Sequence, residues 1–228
     1  MRQLSEKTKL KQHRGTGRGS SYIPFCKPTD FNSLGTTTFL TDWIIGRQVH
    51  LLSMGEKSYY YLLRYDPHIA DVREQYPLEL EKTVSIAHQN GFRHPKNNST
   101  HMTTDFLVTY RDGHYEAHSL KTSRNILSSR RVCEKLYIEK CYWESIGIPF
   151  LLVFKEDLDT AYTDNIEDCA IFHDPSDVTD DYSLIKYLII HHRLDIDLQK
   201  HHLDYQELIK EHRKELDLYW NNKKLLPH

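Results

Sequence analysis

Three spacings of apolar residues succeed one another along the chain, and each predicts a different kind of element. After Ser53-Met54-Gly55-Glu56, the residues Tyr59, Tyr60, Leu62 and Leu63 recur at helical intervals until Pro67, so a helix is expected to open at residue 53. Residues 69–77, IADVREQYP, predict a short strand leading into a loop, and residues 79–90 a short helix stopped at Gly91. Residues 104–110 and 115–121 are rich in β-formers and meet at Arg111-Asp112-Gly113, a hairpin signal. A helix over 128–145 follows, with Val132, Leu136, Tyr137, Cys141 and Tyr142 on one stripe, ended by Gly147 before Pro149. Residues 148–154 are continuously apolar, which predicts a strand covered on both faces. Helix, hairpin, helix and buried strand in this order predict an α/β core with a mixed β-sheet flanked by helices.

Beyond residue 154 the pattern changes. Residues 183–192 form an apolar helix candidate, and Leu194-Asp-Ile-Asp-Leu198 alternates as a strand would. Residues 204–220 predict a second helix, with Asp204 and Glu207 as a capping box and Tyr205, Leu208, Ile209, Leu216 and Tyr219 as its apolar stripe. A small, mostly helical C-terminal domain is expected, either winged-helix-like or a docking appendage.

Charge divides the chain further. At 228 residues, with 27% charged, 39% hydrophobic and a net charge of -2, it is long enough for one large α/β domain plus a satellite. Near the N-terminus Lys7, Lys9, Lys11, Arg14 and Arg18 accompany Gly15, Gly17 and Gly19, the composition of a basic flexible arm that holds DNA phosphates. From Glu156 to Asp181 the sign reverses, with ten Asp and Glu and no Lys or Arg between them, as in an acidic linker that avoids DNA. The expected organisation is therefore an arm over 1–21, a core domain over 22–158, a linker over 159–181 and a C-terminal module over 182–228. Cys26, Cys133, Cys141 and Cys169 form no Cys-x-x-Cys pair and no signal-like segment opens the chain, which points to a reduced, cytoplasmic protein. No apolar run approaches the roughly 18–20 residues that a membrane span requires. The pairs His191-His192 and His201-His202 lack the partners and spacing of a zinc site.

Cutting a phosphodiester calls for carboxylates to hold a metal and a cation near the attacking water, and strand ends hold such groups rigidly. Asp105 opens one hairpin strand and Lys121 closes the other. A two-residue turn at Asp112-Gly113 would put Asp105 opposite Leu120 and turn Lys121 to the other face. A three-residue loop with Gly113 in a left-handed conformation would instead pair Tyr110 with His114 and Asp105 with Ser119, and Lys121 would share their face. Glu56 is already accounted for by Ser53-x-x-Glu56, a capping box, so a chemical role there competes with a structural one.

Tyr22-Ile-Pro-Phe25, His50-Leu-Leu-Ser-Met-Gly-Glu56, Ile69-Ala-Asp-Val-Arg-Glu-Gln-Tyr-Pro-Leu78, Thr103-Thr-Asp-Phe-Leu-Val108, Glu134-Lys-Leu and Tyr142-Trp-Glu together resemble the TnsA family, endonuclease subunits of heteromeric bacterial transposases. The resemblance runs unbroken over residues 19–154, and the chain's short C-terminal part resembles the compact forms of CRISPR-associated transposons. It implies a restriction-endonuclease-like core that uses Mg²⁺, one ion or two with Mn²⁺ as substitute, to cut the 5′ strand of double-stranded DNA at transposon ends. A DDE transposase subunit, TnsB, and an AAA+ regulator, TnsC, are the implied partners in a bacterial cytoplasm. Carried over, Glu56 and Asp105 are the metal-binding acids, Lys121 the catalytic lysine and the Leu120 carbonyl a backbone ligand. Ser119 stands where the family often has glutamine and the wider nucleases an acid; as a neutral, weaker ligand it shifts the load to other acids, with Glu134 on the next helix as the expected compensating one. A catalytically inactive adaptor, with Ser119 as its sign, is the alternative.

Overall fold

Ser5 opens the first element by accepting the Thr8 N–H on its hydroxyl at 3.2 Å, starting helix α1 (Glu6–Lys11). The computed structural model describes residues 4–30, 37–199 and 201–223, which form two units, Met1–Leu158 and Asp159–His228. Residues 1–3 of the expected arm, 31–36 of the expected core domain, and 200 and 224–228 of the C-terminal module lie outside the described residues.

The expected flexible arm is folded onto the first unit. Arg14 pairs with Asp30 at 2.6 Å, Lys9 approaches the same carboxylate oxygen at 3.6 Å, and all three are buried. Gly15, at φ +79°, packs so close to Pro77, in the molecule's main sheet, that a Cβ there would meet the proline ring at 2.2 Å. Lys9 and Arg14 are therefore not available to DNA phosphates, and counting local charge missed this because their neutralising acid lies 16 residues beyond Arg14. Lys7, Lys11 and Arg18 remain exposed.

β1 (Thr38–Thr41) and β2 (Gln48–Leu51) form an antiparallel hairpin that the sequence pattern did not predict. Asp42 folds its turn by accepting the N–H groups of Ile44 and Ile45 at 2.7 and 2.9 Å. Helix α2 (Met54–Tyr65) follows, capped by Ser53, whose hydroxyl accepts the Glu56 N–H at 3.1 Å. Strand β3 (Ile69–Pro77) spans nine residues, more than the short strand expected; α3 (Leu80–Gln89) then leads to β4 (Thr103–Tyr110) and β5 (Tyr115–Lys121). Helix α4 (Arg130–Ser145) carries the chain back to β6 (Phe150–Phe154).

The sheet runs β3-β4-β5-β6, antiparallel through β5 and parallel between β5 and β6, so it is mixed. One face packs Val72, Phe106 and Val108 against Tyr60 and Leu63 of α2 and Val49 and Leu51 of β2; the other packs Leu107 and Ala117 against Tyr142 and Trp143 of α4. β6 is an edge strand, and its Leu151 is 37% exposed, so the continuous apolar run did not mark burial on both faces. Between β4 and β5, Thr109 pairs Tyr115, the Tyr110 N–H reaches the His114 carbonyl at 3.0 Å, and Gly113 takes φ +92°. This is the three-residue loop, and it sets Asp105 opposite Ser119.

In the second unit, the stretch expected as a linker contains α5 (Thr160–Ala170), whose buried Ala161, Asn165, Ile166 and Cys169 form a helical stripe beneath the acids. Helix α6 (Asp181–Ile190) is almost entirely buried. Residues 194–198 are not a strand: Asn165 ties this loop down, donating to the carbonyls of Leu198 and His201 at 2.9 and 2.7 Å. The helix expected over 204–220 is two, α7 (Tyr205–Glu211) and α8 (Arg213–Lys223). With no strand among its described residues, this unit has no wing. No described helix is long and apolar enough to cross a membrane.

Removing Asp30 should leave two cations buried without their partner. Asp30→Ala is expected to lower unfolding stability by about 3–5 kcal/mol, against less than about 0.5 kcal/mol for Lys7→Ala, as read from urea melts.

Candidate active site

The polar end of the hairpin is organised around one oxygen. Oδ2 of Asp105 accepts the backbone N–H of Leu120 at 2.7 Å, lies 3.3 Å from Nζ of Lys121, and receives the Ser119 hydroxyl at 3.4 Å. The Lys121 ammonium also donates to Ser119 Oγ and to the Leu120 carbonyl, both at 2.8 Å. Asp105, Ser119, Leu120 and Lys121 are thus brought together by the register that Gly113 permits. The ammonium sits among the oxygens expected to serve as metal ligands.

Two further carboxyl groups approach this cluster from helices on opposite sides of the sheet. Glu56 is buried at the start of α2, where its Oε2 accepts the Leu52 N–H at 2.9 Å and its Oε1 the Ser53 hydroxyl at 3.3 Å. Burial, reinforced by the Asp105 charge, pushes its carboxyl up to about 8. A carboxylate has about four lone-pair sites, so the cap leaves room for a second role.

The other acid is Glu139, which sequence reasoning missed. Burial first, and then the Asp105 charge, push it up to about 8, while Lys121 and the hydroxyls of Thr104 and Ser119 oppose the rise. Its Oε1 is buried and has no hydrogen-bond partner among the described residues. Glu134, the acid expected here, is held on its own helix by Arg130 and Arg131, each at 3.0 Å. The two glutamates lie about 140° apart around α4, so only one of them can face the sheet. The signal was present: Glu139 stands three residues after Leu136 and three before Tyr142, an acid inside the apolar stripe.

Among the described residues, no three His, Cys, Asp or Glu side chains form a ready metal-holding group. The donors nevertheless suit a hard divalent cation. All are oxygens, Glu139 has one unpartnered, and two of the three acids are held toward the neutral form in surroundings where a cation would ionise them. Beside the cluster opens a cleft of about 270 Å³ lined by Ser53, Met54, Gly55, Lys121, Thr122 and Lys155 among others. Gly55 lets the chain close in, since a Cβ there would lie 3.1 Å from Leu120 and 3.3 Å from the Lys155 side chain. Lys155 has no ion-pair partner among the described residues, because the neighbouring Glu156 and Asp157 are taken by Arg124 at 3.1 and 2.6 Å.

Residues 66–155 match the family model described as TnsA-like endonuclease N terminal. Over 162 residues the chain is 32% identical to the Transposon Tn7 transposition protein TnsA of Escherichia coli. That match covers 70% of this chain and 59% of the relative, so the chain spans less than two thirds of the protein it resembles.

A carboxyl near 8 in the fold and near 4.5 in the unfolded chain keeps a proton that unfolding releases between those values, so it erodes stability as pH rises. Glu139→Gln removes that loss. In metal-free protein the variant should melt more than about 3 °C above wild type at pH 9, the equivalent of ~1 kcal/mol at this size, and level with it at pH 5.

Proposed function

We propose, from a chain that belongs to the TnsA family through its N-terminal endonuclease-like domain, that this protein is a divalent-metal-dependent DNA endonuclease that hydrolyses the 5′-strand phosphodiester at transposon ends. The observation that carries this reading is the Asp105–Lys121 pair at 3.3 Å, flanked by two carboxyl groups poised to ionise. Asp105, Glu56, Glu139 and the Leu120 carbonyl would hold Mg²⁺, or Mn²⁺ in its place. When bound, such an ion gathers the phosphate oxygens and makes its water more acidic. Lys121, beside Asp105, would orient the attacking water and offset the charge on the phosphate. Ser119 contributes a neutral hydroxyl. Glu139 on α4 would stand in for the acid absent at position 119, which supports the enzyme reading over the adaptor one.

DNA would reach the site along the cleft beside α2, where Lys155, which has no ion-pair partner among the described residues, would offer its ammonium to a backbone phosphate. Lys7, Lys11 and Arg18 are the remaining basic residues of the N-terminal segment that can meet phosphates. In this reading a DDE transposase subunit of the TnsB kind cuts the other strand, an AAA+ regulator of the TnsC kind controls the assembly, and the helical second unit docks the regulator or DNA.

In the reconstituted transposase, Asp105→Ala should reduce 5′-strand cutting by at least about 10²-fold and leave 3′-strand cutting to the partner; undiminished 5′ cutting would remove the enzyme reading. Lys155→Ala should weaken binding to all DNA sequences alike and reduce the log–log salt slope by about one, measured by anisotropy titration at several salt concentrations.

A further inference from the structure

Gln75 departs from its strand in three ways. Its φ of +50° lies in the left-handed region, rare for a residue other than glycine within a strand. It is 4% exposed. The β3–β4 ladder pairs Glu74 with Phe106 and Tyr76 with Thr104 but passes over Gln75, whose carbonyl accepts the Phe25 N–H at 3.3 Å instead. Backbone of this kind is costly and persists where the surroundings over-determine it, most often at functional sites.

The side chain shows what the conformation serves. Its Nε2 donates to Oδ1 of Asp105 at 3.3 Å, and its Oε1 accepts the Thr103 hydroxyl at 3.1 Å. The orientation of the amide follows from chemistry, since a carboxylate only accepts and must be faced by the NH₂ end. Oδ2 of Asp105 is held by the Leu120 N–H and approached by Lys121, and Gln75 restrains the other oxygen. Aspartate's terminal torsion is broad, so without a second restraint the carboxylate could swing about its Cβ–Cγ bond. A neutral amide fixes it without cancelling its charge; an arginine or lysine here would compete with a bound cation.

We propose that Gln75 is a positioning residue that holds the Asp105 carboxylate in its metal-binding orientation, and that the left-handed backbone at position 75 is retained for this purpose. The proposal rests on the site reading given above. Gln75→Gly relieves the backbone and removes the amide, so stability and function should part. Metal-free full-length Gln75→Gly is expected to melt no lower than wild type. Its Mg²⁺-dependent rise in melting temperature should shrink, and the Mg²⁺ concentration for half-maximal 5′-strand cutting in the reconstituted transposase should rise about 10- to 100-fold. Gln75→Glu keeps the size but replaces the donor with an acid, and should move the acid limb of the pH–rate profile upward. An unchanged Mg²⁺ requirement, an unmoved acid limb, or a lower melting temperature with activity lost alike at every Mg²⁺ concentration would overturn the proposal. Asp105→Ala separates the two failures: if it abolishes 5′ cutting while Gln75→Gly leaves the Mg²⁺ requirement unchanged, only the role of Gln75 falls.

Discussion

The Leu120 N–H and the Lys121 ammonium converge on Oδ2 of Asp105, at 2.7 and 3.3 Å, and the rest of the site takes its state from that oxygen. Burial raises the carboxyls of Glu56 and Glu139 and the charge on Asp105 adds to the rise; that charge also anchors Lys121 and gives the Gln75 amide its acceptor. Its position depends in turn on strand register. A shift of one residue would send Lys121 to the opposite face, away from Asp105 and Ser119.

Fixing that oxygen takes more of the first unit than the two strands that carry the site. Glu74, beside Gln75, is buried and forms a bidentate pair with Arg47, each bond 2.7 Å, and accepts the His50 N–H at 3.1 Å. The Tyr22 hydroxyl donates to its carbonyl at 3.0 Å. Through Glu74, the N-terminal segment and the β1–β2 hairpin are tied to β3. The hairpin delivers Leu52, whose N–H holds Glu56. On the opposite face of the sheet, Trp143 donates to Thr104 at 2.6 Å and seats the helix that carries Glu139. Breaking a buried pair such as Arg47–Glu74 leaves an uncompensated charge, so these contacts resist rearrangement more firmly than apolar packing alone would.

Much of this was legible in the sequence, and the exceptions share a cause. Periodicity located α2, α3, α4, the hairpin and β6, because each buries one face and so carries its period in the chain. Gly113 made the correct loop available as one of two registers; the structure selected it. What escaped notice was non-local or overlaid. Lys9 and Arg14 looked like a DNA-binding arm because Asp30, which neutralises them, is distant in sequence. Residues 159–181 looked like a linker because surface acids overlay the apolar stripe of α5. β6 looked doubly covered because apolar continuity does not tell a central strand from an edge one. Glu134 was named as the compensating acid from its place on the helix after the hairpin, when the better guide was the acid at an apolar position of that helix, Glu139. Gln75 carried no sequence signal at all, because a left-handed conformation in a strand follows from what surrounds it.

The central claim is that Glu56 and Glu139 hold protons in the metal-free site and release them when a divalent cation joins Asp105. Calorimetric titration of Mg²⁺ into the full-length protein at pH 7, repeated in buffers of different ionisation enthalpy, counts those protons directly. The account predicts release of about one to two protons per ion bound, reduced in Glu139→Gln. Binding at this site without proton release, or with release unaffected by Glu139→Gln, would contradict it.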